Sequence, residues 1–327
     1  MKKALLKYGV IILILLYILV GCSPMNSTGE ENLDDSKLEV NDTMETKVKI
    51  YTSFYPLYDF TKKVGGDLVD TEVVVGDGVD PHSFDPSPRL IAEMETADIF
   101  IYNGLGMEPW VDGVLENLKD KGTIIIQASE GLDIMDYNEE EHYHEEEHHH
   151  EHGQQDPHIW MDPMNTIKIS EGVKEALVGM DSDNAQIYEE NFIKFKGDIE
   201  NLDDDFKEAL RDVKNRKILV SHSAFRYLAR RYDLEEIAVS GVSPHEEPSP
   251  TRLAELTKEA EKHNLKYIFF ESLANPKTAE TLGKEAGLEV LMLYNMEGLT
   301  KEQRQEGEDY ISLMYKNLEN LKKALVE

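Results

Sequence analysis

Eight short apolar runs, rich in β-branched and aromatic residues, punctuate this chain, and amphipathic helix-forming stretches separate them. Four lie in the first half, "VKIYTSF", "TEVVV", "ADIFIYN" and "TIIIQ", and four in the second, "KILVS", "EIAVS", "KYIFF" and "EVLMLY". Strands connected through helices pair in parallel and need both faces of their sheet covered. The pattern therefore predicts an α/β protein of two lobes, each with a central parallel β-sheet flanked by helices. Residues 183–214 form one long charged segment in which Ile187, Phe192, Phe195, Ile199, Leu202, Phe206 and Leu210 recur every three to five positions. That is a single apolar stripe, and it predicts one helix of about 40 Å joining the lobes.

The halves resemble each other. "GVDPHSFDPSPRLIAEM" from Gly78 parallels "GVSPHEEPSPTRLAEL" from Gly241, and "TSFYPLYDF" parallels "VSHSAFRYL" more faintly. Each member of the first pair follows the second strand run of its half and leads into a helix, as expected for two related lobes. The expected lobes span residues 47–182 and 215–327.

Ahead of them, residues 1–21 combine a short basic region with an apolar stretch too short to span a bilayer comfortably, which fits a secretory signal. It ends in "LVGC", so Cys22, the only cysteine, resembles the acylated first residue of a bacterial lipoprotein. One cysteine allows no disulfide within the chain. Residues 22–46 lack aromatics and periodicity and read as a disordered tether. The signal holds three lysines and no acids, leaving 65 acids against 31 bases beyond it, a formal charge of −34. Such a charge argues against nucleic acid and anionic lipid as partners and suits the attraction of cations.

Ligands of open parallel sheets bind beyond the carboxyl ends of the strands. Four metal-competent side chains fall there: His82 after "TEVVV", His222 directly after "KILVS", Glu297 shortly after "EVLMLY", and His158 after the fourth run of the first half. Prolines in "DPHSFDPSP" and "DPHIWMDP" restrict the loops that carry His82 and His158. Three imidazoles and one carboxylate suit Zn²⁺. Asp80, Asp156, Asp162 and Glu271 are candidates to orient these rings, although in so acidic a chain turn or solvated roles are favoured for each. Trp160, Phe84 and Tyr55 are expected in the core or the cleft wall.

At "GVDPHSFDPSP", "DPHIWMDP", "SHSAFRYLA" and "LYNMEGLT" the chain resembles the metal-specific solute-binding lipoproteins of ABC transporters, and within them the zinc-binding branch. The likeness extends over everything after the tether. It implies a zinc site at His82, His158, His222 and Glu297, an ABC permease as partner, and a lipid anchor on the outer face of a bacterial membrane. His245 occupies the second half's counterpart of the His82 position, and Glu297 is expected to outrank it as a ligand.

Residues 139–155 contain six histidines, His142, His144, His148, His149, His150 and His152, among many glutamates. The segment includes an H-E-x-x-H match, but without an apolar face to dock a helix the match is expected from composition alone. A flexible accessory loop that binds metal weakly is the expectation, and the resemblance agrees with it. No catalysis is expected. Three alternatives remain at this level: manganese or another divalent ion on the same scaffold, a zinc hydrolase built on the histidine run, and a surface adhesin.

Overall fold

The first sheet is built from β1 (Val48–Thr52), β2 (Val69–Val73), β3 (Ile99–Tyr102) and β4 (Ile124–Gln127), all parallel, in the order β2-β1-β3-β4. A computed structural model of the protein describes residues 47–137, 154–241, 250–273, 280 and 283–326. The expected signal and tether, Cys22, all six histidines of the accessory run and His245 lie outside the described residues. Helices α1 (Tyr55–Gly65), α2 (Pro88–Met94) and α3 (Val111–Lys121) connect these strands. The second strand begins earlier than its apolar run implies. Val74 and Val75 still continue the ladder, donating to the carbonyls of Thr52 and Ser53 at 2.9 and 3.0 Å.

A short antiparallel pair, β5 (Asp136–Tyr137) and β6 (Gln154–Gln155), brackets the histidine-rich stretch. Then come α4 (Pro163–Met180) and α5 (Ala185–Leu210). The second sheet follows: β7 (Lys217–His222), α6 (Arg226–Arg231), β8 (Glu235–Ser240), α7 (Pro250–Lys262), β9 (Tyr267–Phe270) and β10 (Glu289–Met292). It is again parallel, with order β10-β9-β7-β8. Numbered within its own lobe, each sheet runs second-first-third-fourth, so the sequence repeat is a repeat of topology. Helices α8 (Lys301–Glu306) and α9 (Tyr310–Leu325) close the chain. Among the described residues no helix is long and apolar enough to cross a membrane.

The long helix α5 measures about 39 Å at 1.5 Å per residue and packs against α1, α4 and α9. Its inner face is Tyr188, Phe192, Phe195, Ile199, Leu202, Phe206 and Leu210, spaced three or four apart and all buried. Ile187 does not belong to it, contrary to expectation, and is 44% exposed. The neighbouring Tyr188 takes its place with its ring buried, while its hydroxyl donates to Asp181 Oδ2 at 2.7 Å. The helix also stops short of Lys214. Arg216 reaches back to donate to the Arg211 carbonyl at 2.9 Å, while Val213 turns into the core.

One apolar cluster runs from Ile50 and Phe60 of the first lobe through α5 to Val220 and Phe269 of the second. Smaller clusters fill the outer side of each sheet, around Phe100 and Trp110 in the first and around Leu219 and Phe270 in the second. Residues Thr46–Glu327 accordingly form one compact unit.

Candidate metal centre

His82, His158, His222 and Glu297 converge at the carboxyl-end edges of the two sheets. Their potential ligand atoms all lie within 4.8 Å of one another. Glu297 Oε1 stands 3.3 Å from His82 Nε2, 3.2 Å from His158 Nε2 and 3.5 Å from His222 Nε2. In a tetrahedral zinc site, bonds of ~2.0 Å put ligand atoms about 3.3 Å apart. The glutamate-to-histidine separations therefore match before any adjustment. Three of the four residues are sealed from solvent, at 0% for His158, 1% for His222 and 2% for Glu297, and only His82 keeps partial access.

Local sequence explains how three of these side chains are aimed. Asp80 Oδ1 accepts from the backbone N–H of His82 at 2.8 Å, and Asp156 Oδ1 accepts from that of His158 at 3.0 Å. Asn295 Oδ1 does the same for Glu297 at 3.3 Å. Each is an Asp or Asn two residues ahead of the ligand, folding the chain into a tight side-chain-capped turn. His222 needs no such turn, because it is the last residue of β7 and is held by the sheet. Met296, next to Glu297, has φ 59°, a left-handed backbone that is strained for a non-glycine residue.

Behind the rings lie carboxylates. Asp156 Oδ1 is 2.8 Å from His158 Nδ1, and Glu271 Oε1 is 3.0 Å from His222 Nδ1. Both acids are buried, at 0% and 5% exposure, which corrects the expectation of solvated roles for them, and Asp156 serves both its turn and the His158 ring. Ser221 Oγ donates to the same Glu271 oxygen. Asp80 contributes through its hydrogen bond to the His82 backbone, whereas Asp162 caps α4 by accepting from Met164 N at 2.9 Å. Trp160 is fully buried, edge-on to Phe54, and its Nε1 donates to Asn295 O at 2.6 Å, tying the His158 segment to the Glu297 loop. Tyr55 is in the core and Phe84 packs against it.

Other anchors had no sequence signal: two are uncharged side chains, and Glu108 is one acid among many. Asn103 Nδ2 donates to Pro157 O at 2.9 Å from the first lobe. From the second, Tyr227 donates to Asp156 O at 3.1 Å. Glu108 gathers hydrogen bonds from Ser53 Oγ and the N–H groups of Asn103 and Gly104, and burial lifts its carboxyl to about 7 against the pull of those bonds.

Electrostatics and hydrogen bonding both favour a cation here. Burial alone would lower the His158 pKa, but its contacts with Asp156 and Glu297 outweigh burial and raise it to about 9. His222 is raised well above 6.5 in the same way, against its burial, by Glu271 and Glu297. Burial would raise Glu297, yet the three imidazoles hold it well below the usual carboxylate range. The His222 ring is buried near two acids, but neither of its nitrogens makes a well-directed hydrogen bond. Ion-pair distance and hydrogen-bond direction disagree there, and direction decides satisfaction. Unsatisfied buried nitrogens are costly, and a metal ion on Nε2 relieves that cost. The nitrogen-rich set suits Zn²⁺ in chemistry as well as spacing.

Comparison with known proteins follows the same line. Residues 50–324 match the protein family described as ZnuA, zinc-uptake complex component A, periplasmic. The chain is 40% identical over 279 residues to the zinc-binding lipoprotein AdcA of Streptococcus pneumoniae, covering 85% of this chain but 56% of AdcA. It thus spans about half the length of that relative. It is 36% identical over 286 residues to the high-affinity zinc uptake system protein ZnuA of Bacillus subtilis, covering 87% of this chain and 90% of that protein. Among solved structures, the Zn(II)-bound ZnuA-like domain of Streptococcus pneumoniae AdcA superposes with a TM-score of 0.74 at 36% identity, covering 86% of this chain and all of that one.

Proposed function

The chain belongs to the ZnuA family of zinc-uptake components, and from that premise we propose that it captures Zn²⁺ outside the cytoplasm and passes it to an ABC permease for import. The ion sits in the groove between lobes 47–182 and 215–327, held by His82, His158, His222 and Glu297. The observation that carries this reading is the convergence of three imidazoles on one carboxylate oxygen at 3.2–3.5 Å, most of it buried. Family membership supports zinc over the manganese, hydrolase and adhesin alternatives, and binding over catalysis. Cys22, if acylated, carries enough hydrocarbon for stable membrane attachment, and the lipoprotein name of the AdcA relative agrees with that anchor.

Competition titration on metal-stripped protein tests the assignment. One tight Zn²⁺ per chain is expected, preferred to Mn²⁺ and retained after deletion of residues 139–155. Substituting His222 by Ala should weaken binding by more than the ~10–100-fold typical of a supporting residue, whereas His245→Ala should do little. A manganese preference, or loss of the tight ion with the histidine run, overturns the reading. Cys22→Ser should release the protein from the membrane.

A further inference from the structure

His82 and Glu297 belong to different lobes, and their loops meet across the groove. The His82 loop follows β2, the Glu297 loop follows β10, and two connections fasten them together at a distance from the ligands themselves. Gly78 N donates to Leu299 O at 2.8 Å. Arg304 on α8 grips Asp77 with both arms of its guanidinium, Nε to Oδ2 at 2.6 Å and Nη2 to Oδ1 at 2.7 Å. Such a planar, two-bond pairing fixes orientation as well as distance, which a lysine cannot reproduce. The guanidinium also lies over the rings of Tyr55 and Tyr58 on α1, 5.7 and 5.5 Å from their centroids. Its mount is rigid for its size, because Thr300 and Gln303 form a reciprocal capping box at the start of α8.

We propose that Asp77 and Arg304 are positioning residues for metal retention, a fork that pins the His82 loop against the Glu297 loop and so sets how fast the ion leaves. The inference rests on the four-ligand reading above. His82 is the natural ligand for such control, since it alone of the four keeps partial solvent access while His158, His222 and Glu297 are buried. The fork itself is part exposed, with side chains 23% and 37% accessible for Asp77 and Arg304. Salt should therefore weaken it and speed metal release without touching the sealed ligands.

The test is stopped-flow release of Zn²⁺ from the full chain into excess chelator, with capture rate and metal-free melting temperature measured alongside. Asp77→Asn and Arg304→Lys should each accelerate release about tenfold, the low end of what partners that orient metal ligands contribute. Capture rate and metal-free melting temperature should hardly change. Added salt should accelerate release from the natural protein and have little effect on Asp77→Asn. His82→Ala serves as the reference. If it accelerates release while both fork variants behave as the natural protein, the fork is overturned and the four-ligand site stands. An unchanged release rate in His82→Ala overturns the site, and the fork with it. Should Asp77→Asn fail to fold, the charge-preserving Arg304→Lys decides alone. A fall in melting temperature that accompanies and matches the faster release in both variants reduces the pair to ordinary stability and overturns the proposal.

Discussion

His158 and His222 are each paired with acids that change what a proton costs there. In the metal-free protein His158 has its pKa raised from 6.5 to about 9, because Asp156 and Glu297 outweigh burial. The sign follows directly. A group whose folded pKa is raised contributes stability that is complete below its unfolded value, near 6.5, and lost as pH rises through about 9. Zinc needs the neutral ring, so the metal competes with that same proton. An ordinary imidazole would place the loss of affinity near pH 6.5 and below; the carboxylates around His158 move its onset up towards 9. Zinc binding at pH 7.5 should therefore expel protons, and the calorimetric heat of binding should vary with the ionisation enthalpy of the buffer. A heat that is the same in every buffer contradicts this. Asp156→Asn should both lessen the proton release and weaken zinc by ~10–100-fold.

Among the elements, α5 gives the clearest separation of buried from exposed positions. Phe195 is buried, 5.9 Å from the Phe60 ring of α1, whereas Ile193 and Ile187 face solvent. Phe195→Ala should cost ~3–5 kcal/mol by transfer and cavity terms, and Ile187→Ala should stay within about 0.5 kcal/mol; urea titration of both variants checks the contrast. The apolar runs were enough to place all eight strands of the two sheets. The central β1, β3, β7 and β9 are the plainest, being nearly buried throughout and reading as continuous apolar stretches. The strand-end rule then found all four converging side chains. Ile187 was misplaced because its spacing of five from Phe192 turns the helix about 140° off the stripe, whereas Tyr188, four residues before Phe192, is only about 40° off. The roles of Asp156 and Glu271 were hidden by abundance, since the chain holds 65 acids and only three-dimensional proximity to a ring distinguishes two of them. One usable signal was present: Asp-Pro-His occurs at both 80–82 and 156–158, and each aspartate caps its own turn.

At the level of the whole molecule, the apolar cluster that links Ile50 to Val220 and Phe269 makes the two lobes share one core. Lobes with separate cores can unfold separately, each with its own midpoint. A shared core ties their unfolding together, and the metal strengthens the tie because its ligands come from both lobes, His82 and His158 from the first and His222 and Glu297 from the second. A ligand that binds only the folded state stabilises it by mass action, by about 2.7 kcal/mol at a free concentration one hundred times its dissociation constant. Calorimetry of the metal-free protein should therefore show one main transition, and zinc should move all of it upward. Two transitions, with zinc shifting only one, would mean that the lobes melt independently and that the ion is held by a single lobe.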